Sequence, residues 1–176
     1  MKKYDVVIGI DPDVDKSGVA FLMVESRIIE VSNLTFADLL DYLRETRDFL
    51  MREGRYFVVV VEAGWLNKAH WHVGRGGSAA RSAAIGNHTG RNHEVGRKIV
   101  EMCRHYGIEV VEQPPLRKMW KGRDGKITNE ELQHLAIITD KTNHITNKTN
   151  QEARDAALIA WEYAGLPIRI KNQYNK

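Results

Sequence analysis

Apolar residues in this chain change their spacing from one segment to the next, and the changes mark out elements. Tyr4 to Ile10 (YDVVIGI) is a short apolar run rich in β-branched residues that stops at Asp11-Pro12, the pattern of a buried strand with an acid at its carboxyl end. Ser17 to Glu25 and Arg27 to Thr35 are two more strand-like runs separated only by Ser26, which predicts a tight hairpin and three antiparallel strands at the start. From Phe36 to Met51 the apolar positions Phe36, Leu39, Leu40, Leu43 and Leu50 fall at helical spacing with charges between them, and Gly54 ends the run. Tyr56 to Val61 (YFVVVV) is unbroken, as expected of a central strand covered on both faces, and it runs into Glu62.

The second half is punctuated differently. Gly64 to Gly77 mixes glycine, tryptophan and histidine without a period and reads as a long loop, a place where function concentrates. Arg81 to Tyr106 is helical up to Gly107, Ile108 to Val111 is a further covered strand, and Gln113 to Lys126 is a basic loop broken by Pro and Gly. Thr128 with Glu131 forms a capping-box pattern for a helix to about Thr139; Asp140 to Lys148 is polar loop, and a last helix covers Asn150 to Ala164. The order βββαβαβ followed by helices describes one α/β domain over residues 1–176, with a five-stranded mixed sheet flanked by helices in three layers.

Acids sit at telling places in this order. Asp11 closes the first strand, Glu62 closes the fourth, and Glu152 and Asp155 share one side of the last helix near its start. Active sites of α/β sheets gather at the carboxyl ends of strands, so the four can converge. A carboxylate cluster not paired with Lys or Arg makes physical sense around hard cations, of which Mg²⁺ takes carboxylate oxygens and water. Plainer roles exist for each: Asp11 before Pro12 as a turn former, Glu62 as a strand-end acid, Glu152 as a helix cap at capping-box spacing from Thr149, and Asp155 as an acid near a helix N-terminus.

Composition adds constraints. The chain has 43% hydrophobic and 28% charged residues, close to soluble globular averages, which excludes collagen-like, disordered and coiled-coil readings. No window holds 18 consecutive apolar residues, and Met1-Lys2-Lys3 leads into a strand without a cleavage site, so a cytoplasmic protein with no membrane segment is expected. The single Cys103 can form neither an internal disulfide nor a thiolate zinc site and reads as a buried apolar residue. Net charge is only +3, yet Gly64 to Lys98 carries six Lys or Arg against the single Glu94, a basic stretch suited to phosphates. His70, His72, His88 and His93 match no common zinc spacing.

Four motifs in order carry a resemblance to a known family. Ile8-Gly9-Ile10-Asp11-Pro12 followed by Ser17-Gly18-Val19-Ala20 resembles the opening of the RuvC family of Holliday-junction resolvases, and Val61-Glu62 resembles its second acidic position. Ser82 to Gly90 is similar to that family's small-residue helix start, and Glu152 to Ala160 (EARDAALIA) to its closing helix. The resemblance implies a ribonuclease-H-like fold with Asp11, Glu62, Glu152 and Asp155 as metal-binding catalytic acids around two Mg²⁺ or Mn²⁺ ions. It implies a catalytic lysine in the basic loop, for which Lys118 is the best match and Arg117 or Lys121 are alternatives. Asp13 stands where that family has Gly, Glu152 replaces an Asp, and the apolar loop after the fourth strand is here rich in His, Trp and Gly.

The implied activity is resolution of four-way DNA junctions by paired symmetric nicks. The two-fold symmetry of a junction suits a homodimer, and Gly86, Gly90 and Gly96 with Ala79, Ala80, Ala83 and Ala84 offer either a close helix contact between subunits or tight packing on the sheet. Trp65, Lys68, Trp71, Arg75, Arg81, Arg117, Lys121 and Arg123 are the candidate DNA contacts; Trp65, Trp71 and Trp120 are either base-stacking platforms or loop anchors. The competing functions are another nuclease of the same fold, acting on flaps, RNA–DNA hybrids or ribosomal RNA precursors, and a non-catalytic nucleic-acid-binding module. The identity of any branch-migration helicase partner is not readable from the chain, and an actin-like ATPase is excluded by size.

Overall fold

The structure is a computed structural model and describes residues 4–67, 79–142, 144–146 and 148–168, with the backbone alone for 79–82. Strands β1 (Val6–Asp11), β2 (Ser17–Met23) and β3 (Ile28–Leu34) form the expected antiparallel meander. Helix α1 (Phe36–Arg52) follows, then β4 (Phe57–Glu62), α2 (Ala79–His105), β5 (Val110–Gln113), α3 (Asn129–Leu135), β6 (Ile137–Thr139) and α4 (Gln151–Tyr163). The sheet order is β5-β4-β1-β2-β3-β6, with β4 parallel to β1. This is the α/β architecture expected, with six strands rather than five. The extra strand is Ile137–Thr139, which the sequence pattern assigned to the helix begun at Thr128. The capping box at Thr128 and Glu131 is present, but the helix stops at Leu135 because three β-branched residues then pair alongside β3.

β5 also differs from expectation. It lies at the sheet edge and is half-buried throughout, while Ile108, just before it, is buried in the core. Alternation along the strands divides the core in two. One face packs Val6, Ile8, Ile10, Val59 and Val61 with Leu39, Leu43 and Ile99 from α1 and α2. The opposite face packs Val7, Ala20, Ile29, Val58 and Val60 with Ala153, Ala156, Ala157 and Trp161 from α4. Cys103 is fully buried, and burial pushes its thiol up to about 12, consistent with an inert apolar residue.

α4 lies directly on β1 and β2 because the sheet offers no side chains there. A Cβ at Gly9 would stand 2.2 Å from the Ala156 carbonyl oxygen, and one at Gly18 would stand 2.1 Å from that of Glu152. By contrast, Gly86 and Gly90 on α2 have open space around them, so the packing explanation holds for Gly96, which abuts Trp65 and Pro12, and not for the other two.

Gly9→Ala and Gly18→Ala should therefore each destabilise the fold by about 1–3 kcal/mol or more, since the obstruction is backbone. At roughly 2–4 °C per kcal/mol for a chain of this size, thermal melts will resolve the loss. Gly86→Ala should hold or raise the melting temperature, as alanine is favoured over glycine in a helix by about 1 kcal/mol. Equal melts for Gly18→Ala and Gly86→Ala would contradict the close-contact account.

Candidate active site

Strand alternation aims the first two acids. Val7, Gly9 and Asp11 point to the α4 face of β1, and Val58, Val60 and Glu62 to the same face of β4. Ile10 is opposite Val61 in the parallel ladder, so Asp11 and Glu62 are neighbours one step further along, at the carboxyl edge of the sheet. α4 brings its first turns to this edge. Its N-cap is Asn150, whose Oδ1 accepts from the Ala153 amide at 3.0 Å; the capping role suggested for Thr149 and Glu152 is thus taken by another residue. Thr149 instead donates to Asn129 Oδ1.

Asp11, Glu62 and Asp155 line a single pocket of about 140 Å³ together with Arg117, Lys118, Trp120 and Lys126. The acids have a basic partner within the chain. Lys126 Nζ donates to Asp155 Oδ2 at 2.9 Å, and Gln151 Nε2 donates to Asp155 Oδ1 at 2.7 Å. Lys126 ends the basic loop, and its one signal in the sequence is its position next to Ile127, which is buried.

The electrostatics follow from crowding. Burial, then the charges of Glu62 and Asp155, push the Asp11 carboxyl well above the usual carboxylate range; Glu152 adds to this and Lys126 opposes it. Burial and then Asp155 likewise raise Glu62, against relief from Lys126 and Lys118. Burial alone would lower the Lys126 ammonium, but its hydrogen bond to Asp155 and the charges of Asp155, Asp11 and Glu152 hold it above its ordinary value. Among the described residues, no three His, Cys, Asp or Glu side chains are grouped so as to hold a metal ion in this arrangement.

The basic loop is held rigidly. Trp120 N donates to Gly125 O and Gly122 N to Lys126 O, both at 3.0 Å, around a left-handed Asp124-Gly125 pair. The buried Glu131 carboxylate accepts from the amides of Lys121 and Thr128, both at 3.1 Å, and from the Thr128 hydroxyl. Arg154 on α4 donates to Ile127 O at 3.0 Å, to Thr149 O and Asn129 Oδ1, and to Gln151 Oε1 at 2.8 Å. The loop carrying Lys118 and Lys126 is thereby fastened to the helix carrying Asp155.

The remaining candidates divide. Arg117, Lys118, Lys121 and Arg123 are exposed on this loop, while Trp120 is partly buried against the core and lines the pocket. Lys68, Trp71, Arg75 and the Arg81 side chain lie outside the described residues, as do His70 and His72. Trp65 is a packed anchor and not a free stacking platform: its Nε1 donates to Glu112 at 3.1 Å, Gly96 abuts its ring, and Arg97 lies 5.3 Å from the ring centroid. Asp13 accepts from Asn92 Nδ2 at 2.9 Å and from the Asp15 amide, so it ties the turn after β1 to α2. Among the described residues no helix is long and apolar enough to cross a membrane.

No family model matches the sequence, and no curated protein matches it significantly. Solved structures do. The chain is similar to Thermus thermophilus RuvC in complex with a Holliday junction substrate, at 18% identity and TM-score 0.51, over 90% of this chain and 92% of that one. It is also similar to fowlpox virus resolvase in complex with substrate Holliday junction DNA, at 16% identity and TM-score 0.41, over 91% and 97%. The six-stranded mixed sheet and its flanking helices are the ribonuclease-H-like fold of RuvC.

Raised carboxyl values have a defined effect on stability. A folded-state value above the unfolded one means that Asp11 and Glu62 favour folding below their unfolded values and lose that contribution as pH rises through the folded values. In EDTA, the protein should therefore melt higher at mildly acid than at mildly alkaline pH. Asp11→Asn should raise the melting temperature at neutral pH by several degrees and flatten this dependence, as scanning calorimetry will report. A lower melting temperature for Asp11→Asn in EDTA would contradict the crowding account.

Proposed function

We propose that this chain is a divalent-cation-dependent nuclease that resolves four-way DNA junctions. The reading is carried by one observation: Asp11 and Glu62 stand side by side at the carboxyl edge of a buried sheet, facing Asp155, with their charge only partly offset by Lys126. Such crowding is unfavourable for a folded protein alone and favourable for one that takes up a hard cation. The donor set fits: among the described residues, carboxylate oxygens and no thiol or imidazole line the pocket. Asp11, Glu62, Glu152 and Asp155 would hold the ions, two Mg²⁺ or Mn²⁺ in our reading. When bound, they supply a deprotonated water and charge stabilisation for in-line attack on a phosphodiester.

The chain's own residues do the rest. Lys126, fixed by Asp155, and the exposed Lys118, which also lines the pocket, present positive charge where a phosphate would gain negative charge. Arg117, Lys121 and Arg123 extend that charge along the loop and would track a DNA backbone. The two-fold symmetry of a four-way junction favours a homodimer making paired nicks, and the likeness to a RuvC structure that holds a Holliday junction favours branched DNA as the partner.

The test is cleavage of a synthetic four-way junction, a flap, an RNA–DNA hybrid and plain duplex, with Mg²⁺ or EDTA. Symmetric nicks confined to the junction, lost in EDTA and in Asp11→Asn, are expected. Cleavage of the hybrid or flap alone would overturn the substrate, and salt-dependent binding without cleavage would favour a non-catalytic module. Lys126→Met should lower the single-turnover rate roughly 10²–10³-fold, the scale for losing one charge-stabilising group, with junction affinity little changed. An unaltered rate would remove Lys126 from the chemistry.

A further inference from the structure

One buried polar group takes no part in the interactions described above. Among the described residues, Asn33 Nδ2 is the single buried side-chain nitrogen or oxygen without a hydrogen-bond partner. Buried polar groups are nearly always paired, so an orphan calls for a specific cause. Its position suggests one. Asn33 is opposite Gly18, Gly18 opposite Asp11, and Glu62 opposite Gln113, so a single row crosses the sheet at its carboxyl edge. Ile29 and Val31 pack against α4, and by alternation Asn33 faces that side too.

Gly18, beside Asn33, is where the backbone of Glu152 rests on the sheet. The polar groups of the first turns of α4 are otherwise engaged. Asn150 caps the helix, Gln151 joins Arg154 to Asp155, Arg154 binds the loop backbone, and Asp155 accepts from Lys126. Glu152 is the exception: its carboxylate makes no hydrogen bond or ion pair with any described residue. An unpaired donor and the backbone of the residue that bears an unpaired carboxylate thus meet at one glycine at the rim of the acid cluster.

We propose that Asn33 is a positioning residue for Glu152, its amide donating to the Glu152 carboxylate when that carboxylate turns to a bound cation. The inference rests on the cation-dependent reading above. An amide suits the task because it donates without adding charge: Asp would deepen the repulsion, and Lys would compete with the cation. Hydrogen bonds of this kind orient metal-binding carboxylates, and their loss typically weakens metal affinity about 10–100-fold. In the ion-free protein the donor has no partner, so removing it should stabilise the fold.

The experiment follows the melting temperature of the DNA-free protein as Mn²⁺ is titrated, for wild type, Asn33→Leu, Asn33→Ala, Glu152→Gln and the Asn33→Leu/Glu152→Gln double variant. Asn33→Leu should melt higher than wild type in EDTA yet need about tenfold more Mn²⁺ for half of the stabilisation. Asn33→Ala should show the same tenfold shift, and the double variant should be no weaker than Glu152→Gln alone, because the two side chains act as a pair. A Mn²⁺ response equal to wild type in both Asn33 variants, or losses that add in the double variant, would overturn the role of Asn33 while leaving the nuclease reading intact. No Mn²⁺ response in wild type would overturn both.

Discussion

The contact on which the rest depends is that of α4 with the bare backbone of β1 and β2. Gly9 and Gly18 remove the side chains that would hold the helix away, and Ala153, Ala156 and Ala160 keep its own surface shallow. Raising α4 by the depth of a methyl group would lift Asp155 away from the edge that carries Asp11 and Glu62. Packing of small residues, and not any attraction among the acids, is what assembles the cluster. That order of causes is required, because like charges do not assemble themselves.

Once assembled, the cluster needs compensation. Lys126 provides part of it, and the loop bearing Lys126 is shaped to deliver it: Glu131 ties down Lys121 and Thr128, a left-handed pair at Asp124-Gly125 turns the chain, and Arg154 clasps Ile127. Among the described residues the ammonium bonds Asp155 alone of the four acids, and burial and crowding still raise Asp11 and Glu62 against the partial relief that Lys126 gives both and Lys118 gives Glu62. Excess negative charge at the sheet edge beside an exposed basic rim is the combination on which the proposed phosphodiester chemistry rests.

Much of this was legible in the sequence wherever it depended on spacing along the chain. The dense valine run ending at Glu62, the strand ending at Asp11 and the small-residue helix bearing Asp155 follow from periodicity alone. Local pattern falls short where tertiary pairing overrides it. Ile137–Thr139 continued a capped helix on paper, but an open edge of β3 was available to pair with it. Trp65 read equally well as a platform or an anchor, and only the gap left by Gly96 across on α2 decided for the anchor.

Lys126 and Asn33 show the limit most clearly. The sequence by itself determined the order of elements as far as β5 and the alternation that points Asp11 and Glu62 to one face, because both are properties of neighbours along the chain. Only the tertiary structure decided that Lys126 and not Lys118 bonds Asp155, 29 residues away, and that the Asn33 amide is left unpaired. Which cation meets which carboxylate depends on how a loop folds back across a sheet, and that geometry is set by contacts between residues far apart in sequence.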